Sequence, residues 1–252
     1  MLTGIFYYLV LFAKFSKTFN MRYWGLFTAF WGLALFSCSG NPKEGNGGYF
    51  SEEKFVDSLN AGTKGKTKVE FEKFSHSGNG DVYVSICFYN LKKSKASKSN
   101  SWELKNRFKF DKDGISDLNV EIKDFNNDGF KDVTYQSAIA GRGGNIVMTL
   151  FVYDPKNKNF IHIKNSERYP NLSYNSELNC INSLILTGST TTAFLRIKKD
   201  SLDEFARVDV SDTILVEVKD STGKFRTIQK KPFMNSEEDF YRVFRNYNPL
   251  EY

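Results

Sequence analysis

The stretch Leu118-Asn119-Val120-Glu121-Ile122-Lys123-Asp124-Phe125-Asn126-Asn127-Asp128-Gly129-Phe130-Lys131-Asp132-Val133-Thr134-Tyr135-Gln136 sets two β-like runs on either side of an acidic turn. Both flanks alternate apolar with polar residues or are β-branched, as strands do, so the turn bridges two strands of a mainly β chain. From Asp124 to Asp132 the turn reads D-x-N-x-D-G-x-x-D. Its first, third, fifth and ninth positions carry side-chain oxygens, its sixth is a glycine suited to a sharp turn, and its seventh offers a carbonyl. These are hard oxygen donors on one short segment, and Ca2+ is the cation they suit. The expected ligands are Asp124, Asn126, Asp128, the Phe130 carbonyl and Asp132. Magnesium demands a tighter octahedron, and zinc prefers His or Cys, neither of which lies nearby. The plainer alternative is a polar Asn-Asp-Gly turn. An EF-hand is excluded because the twelfth position is Tyr135, where that motif needs a bidentate glutamate.

The segment from Val120 to about Phe160, with DFNNDGFKD, a Gly-rich turn and then FVYDPKNKNF, resembles bacterial envelope proteins with integrin-type (FG-GAP-like) calcium loops. Among them it is similar to small periplasmic calcium-binding proteins related to lysozyme inhibitors. The resemblance implies a calcium-stapled module that binds an envelope protein or a glycan, with inhibition of a lysozyme as one form of that activity. The Ser-Gly-x-x-Tyr element of such inhibitors is missing. Ser77-Gly78 ahead of Tyr83 is the nearest substitute, differently spaced and upstream.

Residues 1–37 read as a signal peptide, with Met21 as a possible start: Met21-Arg22 precedes an apolar run, Tyr23 to Phe36, too short for a comfortable permanent span. Leu35-Phe36-Ser37-Cys38 resembles the lipobox of bacterial lipoproteins, which implies acylation at Cys38 and a membrane anchor. Residues 38–50 are polar and Gly-rich, a flexible tether. Residues 51–252 then form the calcium-binding mainly β domain. The formal charge is +6, but Lys14, Lys17 and Arg22 precede Cys38 with no acidic residue among them. From Cys38 on, 35 − 3 = 32 basic residues face 29 acidic ones, a balance that argues against nucleic acid as a partner.

Within that domain Ser51 to Leu59 has a cap serine and an acidic first turn, predicting a short N-terminal helix, and Ser236 to Tyr247 predicts a C-terminal one. Between them, 68–72, 81–88, 102–110, 115–122, 133–136, 146–153, 190–198 and 213–218 read as strands. Short connections make the order antiparallel, in a hairpin-rich sheet or a sandwich- or propeller-like domain. The stretch Lys109 to Asp117 repeats the acidic turn fifteen residues upstream (109 against 124). A lysine stands at its first ligand position, so it reads as an Asp-Gly hairpin turn.

Catalytic motifs are absent. His76 and His162 lie in no G-x-S-x-G, H-E-x-x-H or Cys-His setting. A hydrolase of envelope polysaccharide or peptidoglycan, with carboxylates gathered only by folding, and a structural component of an outer-membrane assembly are the alternatives to a binding module. With Cys38 set aside, Cys87 and Cys180 are the candidates for a disulfide.

Overall fold

The computed structural model describes residues 48–93 and 100–233, all within one compact unit, Lys43–Tyr252. Among the described residues, fourteen strands form three antiparallel sheets, each a meander in chain order. The first contains β1 (Tyr49–Asp57), β2 (Thr67–His76), β3 (Val82–Lys93) and β4 (Asn100–Asp111). The second contains β5 (Glu121–Lys123), β6 (Asp132–Ala140), β7 (Asn145–Asp154) and β8 (Asn159–His162). The third runs through β9 (Leu172–Asn175), β10 (Cys180–Leu186), β11 (Thr190–Lys198), β12 (Ser201–Val210), β13 (Thr213–Lys219) and β14 (Phe225–Pro232). The mainly β, antiparallel expectation therefore holds at the level of class.

The second sheet is the centre of the stack, and its sequence shows why. In β7, successive residues from Met148 to Tyr153 are all buried. A half-exposed strand would alternate, whereas an unbroken run needs cover on both faces. Phe151 and Tyr153 face the first sheet and join Val69, Phe71, Val84, Ile86 and Phe88 in one core. Met148, Leu150 and Val152 point the other way and join Leu172, Ile181, Ala193 and Leu195 of the third sheet in a second core. The first core is aromatic: Phe88 stacks on Phe160 with centroids 4.3 Å apart and meets Phe151 edge-on at 5.1 Å.

The predicted N-terminal helix is not there. Residues Ser51 to Asp57 lie in β1, paired antiparallel with β2, and β1 begins at Tyr49, inside the stretch read as tether. Phe55 is directly opposite Phe71 and meets its ring at 6.4 Å, a cross-strand contact that outweighs the local helix signal. The predicted C-terminal helix, the lipobox and Cys38 lie outside the described residues. The strand expected over 115–122 shortens to β5, because Asn119 takes a left-handed φ of 40° and breaks the extended run. The candidate pair Cys87 and Cys180 is not bonded: Cys180 is a free, buried thiol at the start of β10, in the apolar cluster of the third sheet. Burial pushes its thiol up to about 11.

Candidate metal centre

The acidic turn connects β5 to β6 in the central sheet, and each of the two cores takes one of its apolar residues. Phe125, inside the turn, is buried in the core shared with the third sheet. Phe130, five residues later, packs on the core shared with the first, with its ring 5.6 Å from that of Tyr153. An apolar residue on each side thus fixes the loop while Asn127 and Asp128 stay exposed. Asn127 and Gly129 take φ of 58° and 87°. Asparagine tolerates the left-handed region and glycine enters it without penalty, so the tight wrap follows from these two residue types.

The structure brings Asp124, Asn126 and Asp128 together around the turn. Asp124 accepts from the backbone N–H of Gly129 (2.9 Å) and, more weakly, of Asp128 (3.3 Å). Asn126 Oδ1 accepts from Asp128 N–H at 3.2 Å, while its Nδ2 donates to Asp128 Oδ2 at 2.9 Å. Asp128 Oδ1 accepts from Phe130 N–H at 2.9 Å. Asp132, the first residue of β6, is placed differently. It is 0% exposed, and its two oxygens accept from Phe125 N–H (2.8 Å) and Tyr153 N–H (2.9 Å). It therefore clips the loop to the neighbouring strand. No Lys or Arg among the described residues pairs with it. Burial, followed by the charges of Asp128 and Asp124, pushes its carboxyl up to about 7 against those two donors.

Among the described residues, no three His, Cys, Asp or Glu side chains are gathered as a metal-holding cluster. Two acidic ligands, one amide and a carbonyl at the turn, with the fourth side chain buried beside them, remain an all-oxygen set. Each carboxylate oxygen that accepts one N–H keeps a second lone pair. The chemistry of the set fits calcium, and Asp132 is the member whose present bonds point it toward the strands.

The upstream repeat is not a hairpin. It joins the first sheet to the second, running from the end of β4 to β5. Nor does Lys109 enter it: the ammonium lies 3.6 Å from the Tyr83 ring centroid, a cation–π contact on the sheet. The cation inside this loop is Lys112, whose side chain is 0% exposed. Its Nζ donates to the Ser116 carbonyl at 2.8 Å, to the Ser116 hydroxyl and to Asp113 at 3.2 Å. Lys73 Nζ donates to the same carbonyl at 3.2 Å and pairs with Glu52 at 3.1 Å. Two ammonium groups thus meet at the Ser116 carbonyl, inside this loop. The sequence signal was present in the lysine between Asp111 and Asp113, but its direction was not legible.

Neither histidine gathers partners for catalysis. His76 Nδ1 accepts from Gly78 and Asn79 N–H at 3.0 and 3.2 Å and caps the turn after β2, which contains Ser77-Gly78. His162 lies among Phe108, Phe110 and Phe151, and burial holds its pKa below the usual imidazole range.

No family model matches the chain, and no curated protein matches it. Among solved structures it is similar to that titled "Structure of a Xanthomonas Type IV Secretion System related protein". The alignment covers 70% of this chain and 93% of that one, at 11% identity and a TM-score of 0.43. Likeness at that level carries no argument about fold or function.

Proposed function

We infer that this chain is a lipid-anchored, calcium-stapled β module of the bacterial envelope that presents its loops to another envelope protein or to a glycan. One observation carries the reading. The oxygen-rich turn sits between the two cores, with Phe125 in one and Phe130 packed on the other, beside a buried aspartate that has no cationic partner among the described residues. A cation held there ties the three sheets together at one point. Calcium, when bound, supplies the positive charge that Asp124, Asp128 and Asp132 lack. The chain's own residues supply the wrap, the orientation and the exclusion of water from Asp132. The anchor is Cys38, and Cys38→Ala is expected to abolish fatty-acid labelling; unchanged labelling would remove the anchor from the reading.

The test of the staple is thermal unfolding of the full-length protein in EGTA and in millimolar calcium. A module of this kind needs a Kd no tighter than about 10⁻⁴ to 10⁻³ M. With a Kd of about 10⁻⁴ M, one millimolar free calcium is about ten times Kd and stabilises the folded state by about 1.4 kcal/mol, or roughly 3 to 6 °C in a domain of this size. Asp128→Ala should remove the shift. Asp113→Ala should keep it, because that loop already holds Lys112. Equal melting of the wild type in both conditions would contradict the staple.

A further inference from the structure

A cleft of about 670 Å³ opens between the acidic turn and the connection from β1 to β2, and Lys64, Lys66 and Lys131 line it with no Asp or Glu among its walls. We propose that this cleft is a binding site for a small anionic ligand, a sugar bearing phosphate or carboxylate.

Both walls are held in place. Asp57 at the end of β1 accepts from Leu59, Asn60 and Ala61 N–H at 3.2, 2.7 and 3.0 Å, which fixes the start of the connection. Gly62 N–H then donates to the Lys131 carbonyl at 2.8 Å, stitching this connection to the acidic turn. Thr63 and Tyr153 share a hydroxyl hydrogen bond of 2.8 Å. Gly62 has a φ of 58°, and a Cβ there would lie 2.8 Å from the Tyr153 ring, so the approach of the two loops is built around a glycine.

The charges of the cleft are uncommitted. Elsewhere Lys54, Lys68, Lys73, Lys112 and Lys123 each pair with a carboxylate. Lys64, Lys66 and Lys131 form no ion pair among the described residues, although they converge on one concavity from two separate loops. An anion entering the cleft is attracted by all three ammonium groups. Ile122 and Phe130 add an apolar wall against which a sugar ring can lie, and the volume is of the size that holds a small ligand. The site lies beside the metal centre but does not require it.

The test is an amide-resolved NMR titration of the full-length protein in EGTA, with glucose 1-phosphate, glucuronate and neutral glucose as probes. One or both anionic probes should shift the amides of 62–66 and 129–131, with an effect that weakens as salt rises, while glucose shifts none. The anion giving the larger shifts identifies the phosphate or carboxylate class. Lys64→Ala/Lys66→Ala removes two exposed side chains outside the acidic turn; it should lose the shifts while its melting temperature is unchanged. Absence of shifts with both anions at millimolar concentration would overturn the proposal, as would equal shifts in the double variant. Because calcium is chelated throughout, neither result bears on the staple.

Discussion

Asp113 and Asp132 occupy matching stretches of chain yet solve opposite problems. Asp132 is buried with only backbone donors, whereas Asp113 has Lys112, Ser116 and the Ile139 N–H around it. Those contacts hold the Asp113 carboxyl well below the usual carboxylate range against the opposing effect of its burial. A group with a depressed folded pKa contributes stability that is complete above its unfolded pKa, about 3.9, and is lost as pH falls toward the folded value. The wild type should therefore lose stability below about pH 4 in part through Asp113. Asp113→Asn should be less stable near neutral pH and show a shallower decline below pH 4, as read by denaturant unfolding at a series of pH values. A parallel decline in the two proteins would contradict this assignment. Lys109 is the residue that misled at this scale. Its sequence position opposes a metal, but its ammonium rests on Tyr83 and a different lysine enters the loop.

At the scale of elements, the legible parts were those whose pattern and partners agree. The alternation of Val84, Ile86 and Phe88 placed the inner face of β3, and all three are buried in the first core. The unbroken apolar run of β7 likewise announced a strand. Residues Ser51 to Asp57 failed because a cap serine and acidic residues suit a helix start as well as they suit an edge strand. Only the pairing with β2, which sets Phe55 against Phe71 (71 − 55 = 16 residues on), decides between them. β12 was passed over for a related reason. Asp203, Glu204, Arg207 and Asp209 dominate its composition, while the buried Leu202, Ala206, Val208 and Val210 that make it a strand are small or separated. The loop between β1 and β2 owes its shape to Gly62, but nothing in the local sequence says that Tyr153 is the neighbour that demands a glycine.

In the whole molecule, three consecutive meanders are stacked through a central sheet that is buried on both sides, and the acidic turn lies at the junction of the resulting cores. The number of sheets was not legible, because hairpin signals give the order of strands and leave unspecified where one sheet stops and the next begins. One break falls after β4, in the loop that Lys112 and Lys73 hold together, and the other after β8. The absent Cys87–Cys180 bond has the same origin: the two cysteines belong to the first and third sheets, with the central sheet between them. The acidic turn was legible as a turn between two strands, since its residues are contiguous. The burial of Asp132 was not, because Tyr153 N–H reaches it from β7. If one cation completes this junction, binding belongs to the folded state and stoichiometry is fixed by the single complete turn. Calorimetric titration of the full-length protein with calcium measures both. The account predicts one site per chain with a Kd at or below about 10⁻³ M, lost in Asp128→Ala. Absence of saturable binding by the wild type at millimolar calcium, or undiminished binding by Asp128→Ala, would contradict it.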